Sequence, residues 1–272
     1  MGGRIVDHPP FTAAALLWPW LTPWAIKAAT ARTDVVPPGA QPFRLVSANA
    51  LGPNKRPTDF AAAATAVDTD VLLVVEASDR ILDALEAAEV HRFHQHGLIE
   101  KRPRWSGCGI WSRHPVELIE IGDAGHAYMA ARVHLPAGAV TVVAVHTWAP
   151  AKPRSGAKWL ASFEALGELL GRLEGPVVAA GDYNATMGHR PLRSLLERTG
   201  MRDAHTVAGR GLARSWPQVR VPVVPAVSLI DRVLLSDEVT VRSIAERSMP
   251  GSDHRAIVAD LALSPSEPVR PG

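Results

Sequence analysis

The chain has 272 residues, enough for one large domain with its own core, and 47% of them are hydrophobic against 21% charged. A formal net charge of +2 is too small to demand a nucleic-acid partner, though it leaves room for one. The one cysteine, Cys108, excludes a disulfide within the chain and any cysteine-based metal cluster, and in the apolar run GCGIWS it reads as a buried thiol.

An apolar run from Phe11 ends at Ile26. It is shorter than the roughly 20 residues a membrane span needs, and Pro19 and Pro23 interrupt it. A cationic lead-in and a small-residue cleavage site are weak around it, so a signal peptide fits poorly. Trp18, Trp20 and Trp24 suit an interface with one wet edge. The arm therefore reads as packed on its own domain or a second subunit, with a membrane-surface contact or the stub of a longer membrane-anchored protein as the other readings. A Pro-rich hinge, VVPPGAQP, closes the arm at residue 42.

Strand and helix patterns then alternate. FRLVSAN from Phe43 predicts a strand, PTDFAAAATAV a helix with Pro57 in its first turn, and VLLVVEA a strand ending at Glu76. ILDALEAAEV is helical, and HRFHQH at His91 to His96 predicts an exposed edge strand, its spacing matching no zinc pattern. CGIWS, VELIEIG, YMAARVHLP and VTVVAVHTW follow one another closely as strands. SGAKWLASFEALGELLGRLE predicts an amphipathic helix capped by Ser155, PVVAAGDYN a buried strand, and PLRSLLERTG a helix stopped by Gly200. SLIDRVLLS, VTVRSIAER and HRAIVADLAL finish as strands, and residues 264–272 predict a disordered tail. Runs apolar on both faces, mixed with hairpin-like neighbours and intervening helices, predict two sheets packed face to face with helices outside. A doubly wound parallel sheet is the second reading.

Polar residues fall at the ends of these runs. Asn49 ends the first strand, Glu76 the second, His146 ends VTVVAV, and Asp182 and Asn184 end PVVAAG. Asp231 lies within SLIDRVLL, and Asp253 and His254 open the last strand. Asp and Asn are poor strand formers, and burying them unpaired costs about 2–7 kcal/mol. The carboxyl ends of strands are where sheet-based sites are commonly built. Carboxylate and amide oxygens suit Mg²⁺ or Mn²⁺. Taken singly, Asn49 reads first as a strand-end turn residue, and Asp231 has a structural reading, second to its site role, as a partner of Arg232 or Arg255.

In this order, SAN at Ser47 to Asn49, VVEAS, GIWSRHPV, VHTW, GDYN, RSWP, LIDRVLLS and SDHRAIVADL resemble the endonuclease/exonuclease/phosphatase superfamily, the DNase I-like proteins. The resemblance implies a four-layer α/β sandwich, two packed mixed sheets flanked by helices, over a catalytic domain at residues 43–263. It implies Glu76 as principal Mg²⁺ (or Mn²⁺) ligand with Asn49 and Asp253 beside it. It implies Asp182 as the group that orients or deprotonates water and Asn184 as a holder of the scissile phosphate or of the shell around the metal's own ligands. His254, paired with Asp231, would stabilise or protonate charge on phosphoryl oxygens, and His146 would donate to a non-bridging or leaving oxygen. A metal-dependent phosphodiesterase or nuclease is the first reading, a phosphomonoesterase on a metabolite or lipid head group the second, and a non-catalytic binding protein the third.

Basic residues mix with tryptophan in EKRPRWSG, APAKPRSGAKW and GRGLARSWPQ. Such pairs bind phosphates and stack bases, so DNA or another nucleic acid is among the implied phosphoester substrates, beside inositol phosphates and phospholipid head groups. The resemblance puts such loops around the catalytic mouth, with Arg113 and Trp216 as substrate-binding candidates. Tyr128 is the one candidate for the tyrosine that abasic-site enzymes carry near the middle of the chain.

Overall fold

The computed structural model describes residues 34–103, 106–123, 126–150, 155–218 and 226–265. Most of the arm expected at 1–42, residues 266–272 of the expected tail, and parts of EKRPRWSG and APAKPRSGAKW lie outside the described residues.

The first sheet is built from β1 (Gln41–Asn49), β2 (Val71–Val75), β3 (His96–Glu100), β4 (Cys108–Ser112), β11 (Val239–Ser248) and β12 (Arg255–Leu263), in the order β11-β12-β1-β2-β4-β3. The second holds β5 (Val116–Asp123), β6 (Ala127–Leu135), β7 (Gly138–His146), β8 (Val177–Asp182), β9 (Arg202–Asp203) and β10 (Asp231–Leu235), in the order β5-β6-β7-β8-β10-β9. Helices α1 (Pro57–Thr65) and α2 (Asp79–Ala87), with the one-turn α3 (Val90–Phe93), belong to the first sheet's side. Helices α4 (Gly156–Arg172) and α5 (Arg190–Thr199) cover the second, and α6 (Ala204–Val207) is a single turn after β9.

Alternation along the strands sorts side chains into three apolar layers. Val71, Leu73 and Val75 of β2 meet Val142 and Ala144 of β7 between the sheets. Leu72 and Val74 turn outward onto Phe60 of α1 and Ile81 of α2. Val143 and Val145 meet Phe163 and Leu166 of α4 and Leu195 of α5. This is the four-layer sandwich, and it explains why VLLVV and VVAAGD are buried at every position. Each fully buried Val or Leu is worth roughly 1.5–3 kcal/mol, so these strands contribute substantially to stability. The Cys108 thiol lies in the central layer, and burial pushes its pKa up to about 12. Among the described residues no helix is long and apolar enough to cross a membrane.

Local signals hold where they are steric. Pro57 and Pro191 sit in first turns, and Gly200 takes the left-handed conformation that ends α5. Ser155 precedes α4, but its side chain makes no capping bond there. HRFHQH is not one edge strand. His91 to Phe93 are helical, His94 is fully buried with Nε2 3.1 Å from the Thr69 carbonyl, and only His96 enters edge strand β3. Tyr128 is buried in the layer under α4, and its hydroxyl donates to Glu120 at 2.7 Å. Asp34, just ahead of the hinge, accepts two 3.0 Å bonds from Arg202 and so ties the start of the described chain to β9.

Candidate active site

Topology brings the polar strand ends together. β1 and β2 run parallel with Asn49 opposite Val75, and β7 and β8 run parallel with His146 opposite Asp182. β10 is antiparallel to β8, which places Asp231 opposite Asp182. β12 is antiparallel to β1, so the turn before Arg255, holding Asp253 and His254, lies at the same rim as Asn49.

Contacts of 3.9 Å or less link all eight residues. Asn49 Nδ2 donates to Glu76 Oε1 at 3.0 Å and to Asp182 Oδ2 at 3.1 Å. Its Oδ1 accepts from the Leu51 amide, so here Asn49 braces two carboxylates with its amide nitrogen. The other oxygen of Glu76 accepts from the Gly52 amide at 2.8 Å. Asn184 donates its backbone N–H to Asp182 Oδ1 at 2.8 Å, and its Nδ2 to the Thr147 carbonyl and to Asp182. Asp231 receives His254 Nδ1 at 2.9 Å, and His254 Nε2 lies 3.8 Å from both Asp182 and Asp253. His146 Nε2 stands 3.7 Å from Glu76 and 3.9 Å from Asp182.

The backbone is strained where it delivers these groups. Leu51, Glu76 and Asn184 have positive φ of 57°, 53° and 46°, conformations disfavoured for residues with a side chain. At Gly181 (φ +149°) a Cβ would meet the Val145 carbonyl oxygen at 1.9 Å, so only glycine lets β8 approach β7 beside His146 and Asp182.

Burial and charge set the protonation states. Burial depresses His146 well below the usual histidine range, and the neighbouring imidazoles of His126 and His254 add to this. Burial acts the same way on His254, but the carboxylates of Asp231 and Asp182 overcome it and raise the ring to about 10. Asp182 is raised to about 7 chiefly by burial, with the Asp231 charge adding and the His254 charge opposing. The site therefore holds a neutral imidazole, a charged one and a carboxyl near neutrality within one cluster. Asp182, Asp231 and His254 each offer a ligand atom, all within 4.8 Å of one another, a candidate metal site.

The indole N–H of Trp216 donates to Asp253 Oδ2 at 3.1 Å, which puts this residue in the site. Arg113 stands elsewhere. It follows β4, which runs antiparallel to β2, and it pairs with Asp68 and Asp70 at the opposite rim. Its place as a substrate contact is corrected accordingly. Asp231 pairs with His254, whereas Arg232 turns to Asp203. Several supports are not among the site residues singled out in the sequence. Ser215 Oγ accepts from the amides of Ile230 and Asp231, and Ser252 Oγ links the Asn49 carbonyl to the His254 amide. His126 stacks on His146, though its loop offers no periodicity to mark it.

The model of the Endonuclease/Exonuclease/phosphatase family matches the chain over residues 46–254. Among solved structures, D. rerio TDP2 complexed with a single-strand DNA product is 17% identical with a TM-score of 0.66, covering 81% of this chain and 98% of that one. A Staphylococcus aureus beta toxin mutant with bound magnesium ions is 15% identical with a TM-score of 0.60, over 80% and 99% of the two chains. The human Nocturnin catalytic domain is 15% identical with a TM-score of 0.62, over 82% and 95%. None of the curated proteins compared by sequence matches the chain. At these identities the structural likeness is one of fold, and the family match spans the rim residues from Asn49 to His254. The chain belongs to the endonuclease/exonuclease/phosphatase family.

Proposed function

We propose that the protein is a divalent-metal-dependent phosphoester hydrolase acting on phosphodiesters, with a nucleic-acid strand as the favoured substrate class. The observation that carries this reading is the rim cluster itself, four carboxylates around two imidazoles of opposite protonation. The donor set fits a hard cation. Asp253 Oδ1 is buried without a hydrogen-bond partner among the described residues, and carboxylates supply most of the donor atoms of the cluster. Asp231 is already committed to His254, so Glu76 and Asp253 are the better holders, with Asn49 bracing Glu76. Mg²⁺ or Mn²⁺ bound there supplies Lewis acidity for charge developing on the phosphoryl group.

The chain's own groups divide the remaining work. Asp182, raised towards neutrality by burial, accepts a proton from the attacking water at its carboxylate. The amide of Asn184 keeps that carboxylate aimed and borders the phosphate position. His254, oriented and kept charged by Asp231, faces the non-bridging oxygens as a fixed cation. His146, kept neutral, donates a hydrogen bond to a non-bridging or leaving oxygen. The DNA product held by D. rerio TDP2 supports the nucleic-acid reading.

The test is hydrolysis of bis-p-nitrophenyl phosphate, p-nitrophenyl phosphate and plasmid DNA, with Mg²⁺ and with EDTA. Glu76→Ala and His254→Ala serve as controls against contaminants. Turnover of the diester and of DNA, abolished by EDTA and by both substitutions, is expected. Cleavage of the monoester alone would move the assignment to a phosphomonoesterase. No turnover across a wider phosphoester panel, with no metal bound, would move it to a non-catalytic binding protein.

A further inference from the structure

The two imidazoles of the site are held in different ways. Asp231 grips His254 through Nδ1 at 2.9 Å. No carboxylate does this for His146, whose Nε2 contacts to Glu76 and Asp182, at 3.7 and 3.9 Å, exceed hydrogen-bond length. Its Nδ1 is buried without a hydrogen-bond partner among the described residues. What meets the ring is another ring. His126, just ahead of β6, stacks on His146 with centroids 4.1 Å apart and planes 13° from parallel. Trp148 lies 5.0 Å from His126 at 37°, and Lys158 Nζ stands 4.5 Å over the Trp148 ring.

We propose that His126 is a positioning residue for His146: the Lys158–Trp148–His126 stack fixes the plane of the His146 ring and leaves its nitrogens free for substrate oxygen. This rests on the catalytic reading of His146 given above. The χ2 torsion of histidine is broad, so a ring without a hydrogen bond needs some other restraint. A face-on neighbour restrains it and consumes neither nitrogen, whereas a carboxylate at Nδ1 would consume one and draw the ring towards the charged form. Trp148, with the Lys158 cation over its own face, packs against His126 at a tilt and limits that ring's movement in turn. The loss of this restraint should act on turnover, because misplacement of a catalytic group by about 1 Å costs on the order of 10²-fold in rate.

His126→Phe keeps a planar face and removes both nitrogens, while His126→Leu fills the space without a face. Steady-state kinetics on bis-p-nitrophenyl phosphate with Mg²⁺ would be combined with the His146 Hε1 resonance of the metal-free protein, assigned by its loss in His146→Ala. The expected result for His126→Phe is a kcat within about threefold of wild type and an Hε1 signal still shifted upfield by the adjacent ring. For His126→Leu it is a kcat lower by about 10–100-fold, an unchanged KM and an Hε1 signal moved downfield. Equal kcat for the two variants overturns the proposal, whether both are active or both impaired. So does a change confined to KM. A His146→Ala protein with full kcat defeats the catalytic reading of His146 and the proposal with it. An inactive His146→Ala protein beside indistinguishable His126 variants defeats the stack alone.

Discussion

Arg232 and Asp203 form a charge pair beneath the site, with side chains only 3% and 1% exposed. Arg232 Nη1 reaches Asp203 Oδ1 at 2.9 Å, and Nη2 reaches the Leu229 carbonyl at 3.0 Å. Replacing Arg232 with Met keeps much of the volume but leaves a buried carboxylate without its cation. Breaking such a pair from one side costs roughly 3–5 kcal/mol. Asp203 keeps the Thr206 amide and hydroxyl, at 2.9 and 2.7 Å, as donors, which argues for the lower end of that range, about 3 kcal/mol. For a domain of this size each kcal/mol is worth about 2–4 °C, so Arg232→Met should melt about 10 °C below wild type by circular dichroism. Adding Asp203→Asn removes the stranded charge yet keeps an acceptor for Thr206, and should recover at least about 1 kcal/mol. The pH dependence gives a second handle. In the wild type burial works to raise Asp203, but the Arg232 charge prevails and holds it below its ordinary 3.8. Its contribution to stability is therefore present above 3.8 and lost as pH falls below it. In the variant burial acts unopposed by Arg232, so protonation of Asp203 favours the folded state. The gap between the two proteins should then narrow as pH drops from 7 to 4. A melting difference under about 3 °C, or no recovery in the double variant, would refute the argument.

Gly181→Ala should cost more than an ordinary strand substitution, since its Cβ falls 1.9 Å from the Val145 carbonyl and φ is +149°. Loss of hydrolysis with a lowered melting temperature is expected, and wild-type values for both would contradict the close approach of β7 and β8. His94 is buried against Thr69, and burial lowers its pKa, so the folded state refuses a proton that the unfolded chain takes up near 6.5. Its penalty is absent above 6.5 and grows as pH falls, by up to about 1.4 kcal/mol per unit. Guanidinium midpoints should thus show wild type losing ground to His94→Gln between pH 7.5 and 5, and a constant difference would count against it.

Much of this molecule was legible because its strands are unusually plain. VLLVV and VVAAGD are buried throughout, and only stacked layers accommodate strands with two apolar faces. The rim residues were legible for the same reason, since each interrupts or closes an apolar run with a group too costly to bury unpaired. Arg113 misled because strand ends look alike in sequence, while antiparallel pairing sends the end of β4 to the far rim. The histidine cluster misled because a one-turn helix and one buried imidazole leave no period to read. His126 was invisible since it lies in a loop, its partner ends a strand 20 residues on, and stacking has no sequence signature. Ser215 and Ser252 act on backbone amides and carbonyls, which any residue supplies.

In the function proposed above, Glu76 and Asp253 hold a divalent cation on which phosphoester hydrolysis depends. Titration calorimetry of Mg²⁺ into wild type and Glu76→Gln, each paired with diester hydrolysis, tests it most directly. Saturable binding by wild type, weakened at least about tenfold in Glu76→Gln with hydrolysis falling in step, is the expected result. Equal Mg²⁺ affinity in the two proteins, or undiminished hydrolysis by wild type in EDTA, would contradict it.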